Sequence, residues 1–167
     1  MSQHPVFLIV HAKLAEAAKA VSHMNEVHAQ QCDLQVTHPG FYSPPVHAES
    51  LVTNVQGIYS HLEAILKTLA NVIDGFTPTG DAWHRDLLLQ AAASAENRPQ
   101  MISSATMDGM SELLKFRHAI RNNYASTLRH DDVFRNLALL QQVAPAFFSD
   151  IVKFADGFGS ANASTAN

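Results

Sequence analysis

A single cysteine, Cys32, is all the thiol chemistry the chain contains, which excludes an intrachain disulfide and fits a reducing compartment. Charge is sparse too: 16% of residues are Asp, Glu, Lys or Arg, against about 25% in an ordinary soluble domain. Part of the surface must therefore be uncharged, as in chains that bury a face against a partner. Eleven basic against fifteen acidic residues leave a formal charge of −4. That excludes a global basic field drawing the chain onto nucleic acid, so any such chemistry has to be local. No apolar run approaches the ~20 residues of a membrane span. The opening MSQHPVFLIVHAKLAEAAKA has neither a basic leader nor a convincing cleavage site, so the expectation is a cytoplasmic protein that does not contact membrane. Neither HExxH nor CxxC occurs among the dispersed histidines, and no metal or cofactor is expected.

What is present is an apolar content of 47% over 167 residues, enough for one domain with a real core. Leu51, Val55, Ile58, Leu62, Ile65, Leu69 and Val72 recur at alternating spacings of four and three, which only an α-helix places on one face. That helix is expected to start at Glu49-Ser50 and to end at Asp74-Gly75. Before it, Pro5 to about Gln31 reads as a first helix and VTHPGFYSPPV as a loop. A third helix is predicted from Asp81, as N-cap, to the ENRP segment, with Trp83, Leu87 and Leu88 inward. Ser103 or Ser104 caps a fourth, SATMDGMSELLKFRHAIRNNYAS, anchored by Met107, Met110, Leu114 and Ile120. A fifth follows Arg129-His130, burying Val133, Leu137, Leu140, Phe148 and Ile151, with a bend or break at Pro145. No segment alternates with the two-residue period of a half-buried strand. The expected fold is an all-α antiparallel bundle of about five helices, one domain over residues 1–156, with a disordered polar tail at 157–167.

The fourth helix carries an unusual nonapeptide, FRHAIRNNY, Phe116 to Tyr124. Solvated helix faces usually draw on Lys and Glu. Arg, His, Asn and Tyr at close spacing are the side chains that grip phosphates or move protons. At about 100° per residue, Arg117, Arg121 and Tyr124 share one stripe, and His118 and Asn122 form a pair on the adjacent face. Two guanidiniums, a hydroxyl and an amide suit a phosphate. The same face would also suit pairing with carboxylates of another helix, such as Asp86 or Glu63, or a polar dimer seam.

The succession YSHLEAILKTLANVIDGFTPTGDAWHRDLL, RP, LLKFRHAIRNNY and FFSDIVKF resembles the HepT-like members of the HEPN superfamily, over about Leu51 to Phe154. GDAWHRDLL and FRHAIRNNY, in that order, are its most specific pieces. The resemblance implies a homodimeric HEPN-like bundle acting as the toxin of a toxin–antitoxin system. It would be a metal-independent endoribonuclease acting on RNA, paired with an MntA-type nucleotidyltransferase antitoxin. The family motif maps onto Arg117, the polar His118 and Tyr124, with Asn122 where the catalytic His usually stands. Arg117, His118 and Asn122 are thereby the implied catalytic positions, Arg117 and Arg121 the implied grip on substrate, and Tyr124 the residue the antitoxin would nucleotidylate (AMPylate). Asn122 is a departure from the pattern, because an amide neither takes nor gives a proton near neutral pH. The chain is then a degenerate relative, an enzyme that uses His118, or one whose catalytic His has been replaced. The alternative is a non-catalytic HEPN partner that binds a nucleotidyltransferase or a nucleotide.

Overall fold

The computed structural model describes residues 4–122 and 129–164. Among them are five α-helices: α1 (Val6–Thr37), α2 (Pro44–Leu69), α3 (Trp83–Ala92), α4 (Ser104–Asn122) and α5 (His130–Ser164), with a π turn, Ala70–Asp74, directly after α2. No strand occurs among the described residues, and the all-α bundle that the periodicity predicts is the fold that forms. No described helix is long and apolar enough to cross a membrane.

Helix α2 is the central member and packs against all four others. Leu51, Val55, Ile58, Leu62, Ile65 and Leu69 are almost wholly buried along it, each such side chain contributing about 1.5–3 kcal/mol of transfer free energy. Val72, the last residue of the expected stripe, is instead 45% exposed. The π turn adds a residue to its turn, so the phase set upstream does not carry through to Val72.

Several boundaries fall elsewhere than the sequence predicts, for identifiable reasons. α2 begins at Pro44 rather than Glu49-Ser50, because proline at the first helical position gives up only an N–H that has no intrahelical partner and brings its φ already set. α1 runs past Gln31 to Thr37, stopping only before His38-Pro39, where proline disfavours helical geometry in the preceding residue. α3 starts at Trp83, two residues after Asp81 and without a side-chain cap. α5 passes through Pro145 as one helix. Leu140, Ala144, Phe147 and Ile151, buried on both sides of the proline, keep both halves against the core. The helix also continues beyond residue 156 to Ser164, while residues 165–167 lie outside the described residues.

The connections fix how the helices meet. His28 of α1 touches His47 near the start of α2, as an antiparallel hairpin requires. Phe7 at the other end of α1 packs on Phe154 and Phe158 of α5, with ring centroids 6.0 and 5.9 Å apart. Ser103 caps α4, its Oγ accepting from the Thr106 N–H at 3.3 Å. Asp150 of α5 then accepts from the Ser103 N–H, the Ser103 hydroxyl and the Thr106 hydroxyl at 2.8, 2.8 and 2.7 Å. Arg98, buried after α3, forms a two-pronged pair with Asp74, Nε to Oδ1 at 2.5 Å and Nη2 to Oδ2 at 2.8 Å. That pair fastens the end of α3 to the π turn and so sets where α3 lies against α2.

Candidate active site

Glu63 is the organising residue. It follows Tyr59 by one helical turn on the buried side of α2 and is only 6% exposed. A carboxylate so buried must be paired. One oxygen, Oε1, takes Nδ1 of His84, the second residue of α3. The other, Oε2, takes Nη1 of Arg117 of α4 at 3.3 Å. Glu63 thus ties three helices together at one point, and the Arg117 guanidinium also lies over the Tyr59 ring, 5.4 Å from its centroid. The Tyr59 hydroxyl is buried without a partner among the described residues. Burial and then the Glu63 charge push its pKa far up, against a smaller pull from Arg117, so it stays a neutral phenol.

His84 is clamped. The Trp83 ring stacks on it at 3.7 Å between centroids, and Lys67 Nζ lies 4.5 Å from the Trp83 centroid. The His118 ring meets His84 nearly edge-on, 5.7 Å away at 82°. His84 and His118 share the wall of an open cleft of about 410 Å³ with Asp81, Trp83, Arg121 and Asn122. His118, Arg121 and Asn122 are exposed there on the last turns of α4, whereas Arg117 is half-buried behind them.

The structure therefore divides the residues that the sequence grouped. His118, Arg121 and Asn122 come together at the cleft. Arg117 does not join Arg121 there but turns to Glu63, one of the carboxylates open to it on sequence grounds. Tyr124 lies outside the described residues. Sequence reasoning missed His84 and assigned Trp83 to the core, although Trp83 is only half-buried and stands at the cleft. One signal was available: Tyr59, Glu63, Leu66 and Ala70 follow helical spacing and are all buried, so an acidic residue stood within an inward face of α2. Among the described residues no three His, Cys, Asp or Glu side chains converge as metal ligands would.

A family model described as HepT-like protein matches residues 50–158, well over half of the chain. The span takes in Glu63, His84 and the described cleft residues and leaves out α1. No protein of curated function and no solved structure matches the chain.

Proposed function

The chain belongs to the HepT-like family, and from that premise we propose that it is the toxin of a toxin–antitoxin pair, a metal-independent endoribonuclease acting on RNA. The observation that supports this best is the cleft itself, where two imidazoles, an exposed guanidinium and an amide converge within one open pocket. Arg121 and Asn122 hold the phosphodiester through charge-assisted and neutral hydrogen bonds. A histidine supplies the proton transfer that Asn122 does not. Arg117 acts from behind the cleft by fixing Glu63 rather than by gripping phosphate.

In this reading two copies of the chain pair so that their α4 helices line one groove, since one cleft spans too little of an RNA strand. The described lining of each cleft sets a single carboxylate, Asp81, against the Arg121 guanidinium, with two histidines beside them, so the groove is spared the net −4 of the chain as a whole. The partner is an MntA-type nucleotidyltransferase that attaches a nucleotide to Tyr124, two residues beyond Asn122 in sequence, adding bulk and negative charge. The working compartment is the cytoplasm. The test is incubation of the purified protein with single-stranded RNA in excess chelator. Cleavage supports the reading, and RNA left intact at micromolar protein overturns it.

A second reading is favoured by one residue. With Asn122 at the family's histidine position, the protein is a non-catalytic partner that binds nucleotide or a nucleotidyltransferase in the same cleft. Binding of RNA or nucleotide without cleavage selects it.

A further inference from the structure

We infer that His84 is the general base of the RNA-cleaving site, positioned by Glu63, and that His118 is its general acid. The inference rests on the ribonuclease reading above and names the proton carriers within that site. It stands on geometry alone. Nδ1 of His84 faces Glu63 Oε1, so in the neutral ring the proton sits on Nδ1 and the lone pair on Nε2. No described residue makes a hydrogen bond to Nε2, and His84 lines the open cleft. The ring cannot swing, because Trp83 covers one face, Glu63 holds one edge and His118 stands against it. Glu63 is fixed in turn by Arg117. This chain of Arg117, Glu63 and His84 has the order of parts that keeps an imidazole oriented as a base: a buried carboxylate on Nδ1 of a ring that is itself 8% exposed, at the cleft, with Nε2 left for the substrate.

The step balances without metal or co-reactant. His84 Nε2 takes the proton of the RNA 2′-hydroxyl, and the 2′-oxygen forms a bond to phosphorus. The bond from phosphorus to the 5′-oxygen breaks, and that oxygen takes a proton from protonated His118. The products are a 2′,3′-cyclic phosphate and a 5′-hydroxyl, and exchange with water resets the two imidazoles. His118 is exposed on α4 and its ring meets that of His84 on the cleft wall, so base and acid serve one bound phosphodiester, as paired acid–base cleavage requires. Asn122 then needs no proton of its own.

The experiment uses the full-length protein in chelator and two RNA substrates, one ordinary and one carrying a single 5′-thio linkage at a site that the parent cuts. A thiolate leaves without protonation. His84→Asn keeps a donor for Glu63 but loses Nε2, and is expected to slow cleavage of both linkages by about 10²- to 10⁴-fold while the protein remains folded at the assay temperature. His118→Ala is expected to lose the ordinary linkage to a similar extent and to regain most of its rate on the thio linkage. Glu63→Gln, a change at the positioning residue, is expected to lower kcat with little change in KM and to alter the pH dependence of kcat. Parent-like cleavage by His84→Asn overturns the inference and leaves the ribonuclease reading standing. So does thio rescue of His84→Asn instead of His118→Ala. A parent that cleaves neither substrate overturns both.

Discussion

Arg117 and Arg121 stand one helical turn apart on α4 but face different surroundings: Arg117 donates to the buried Glu63 at 3.3 Å, while Arg121 is exposed at the cleft. The two guanidiniums should therefore separate in experiment. Removing Arg117 leaves Glu63 with His84 alone. Loss of one partner from a buried ion pair costs about 3–5 kcal/mol, and the lower end is expected because His84 remains. Arg121→Ala should change stability by less than about 0.5 kcal/mol, as exposed substitutions do, while weakening RNA binding and its dependence on salt. Thermal melts together with binding titrations at two salt concentrations check this. Equal losses of stability in the two variants would contradict the division.

Asn122 gives a second test of where the proton moves. It lies beside His118 and Arg121 on the cleft wall. If His84 and His118 already supply base and acid, Asn122→His adds a third imidazole to a complete pair and should change metal-independent cleavage by less than about tenfold. A gain of the ~10²- to 10⁴-fold that a newly positioned acid–base group supplies would return the proton step to position 122.

Gly109 of α4 lies against α5 so closely that a Cβ there would stand 2.4 Å from Val143 Cγ2. Val143 is buried and β-branched, with little freedom to rotate away. Gly109→Ala should cost about 1–3 kcal/mol by overpacking. Combined with Val143→Ala, it should be less harmful than the two single losses summed, a coupling that urea titrations of the four proteins would measure. Additive losses would mean that the helices simply slide apart.

How much of this was legible in the sequence follows from which forces are local. The α2 stripe from Leu51 to Leu69 was readable because burial on one face imposes its own period. The start of α2 was not, because Pro44 and Pro45 signal a loop and a helix N-terminus with the same residues. Val72 was misplaced because nothing in the sequence announces a π turn. At the site, the polar turns of α4 were visible as composition, and three of their residues do share a cleft. The direction of Arg117 was not visible, since it depends on Glu63, 54 residues away. His84 was hidden for the same reason: what singles it out is a carboxylate from another helix, and one histidine among ten carries no such mark.

Acid should act on two fastenings at once. Burial works to raise the Asp74 carboxyl, but hydrogen bonds from Arg98 and Gln90, with the Arg98 charge, outweigh it and hold the pKa below its ordinary value. Asp150 is likewise raised by burial and lowered more by the Ser103 N–H, the Thr106 and Ser103 hydroxyls and the Lys153 charge. Each carboxyl thus titrates lower in the native state than at the ~3.9 of an unfolded Asp. Their stabilisation is complete above that value and is lost as pH falls through the lowered native values. Asp150→Asn should be less stable than the parent at neutral pH, with the gap narrowing steadily below about pH 4. Denaturant midpoints across that range decide it, and a gap independent of pH would count against a native carboxylate at α4.

The last prediction concerns the junction of α1, α2 and α5. His47 is buried, with Nε2 3.1 Å from His28 Nδ1 and Nδ1 3.1 Å from the Tyr42 hydroxyl, and with Phe134 of α5 edge-on to its ring. Burial first, and the charge of His28 second, hold the His47 imidazole below its ordinary pKa. In the unfolded chain this histidine gains its proton near pH ~6.5. In the native protein it does so only at lower pH. Between those two values the unfolded state therefore binds more protons, and native stability must decline as pH falls from about 6.5 to the lowered native pKa. The histidine pair also joins the C-terminal half of α1 to the start of α2, so protonation weakens that end of the hairpin first. His47→Gln removes the titration but keeps a polar side chain beside Tyr42. It should lower stability near pH 7.5 while flattening the decline between about pH 6.5 and 5. Urea midpoints of parent and variant through that interval check the slope, and hydrogen exchange at the α1–α2 hairpin checks its location. Parallel declines in the two proteins would show that other histidines carry the acid sensitivity.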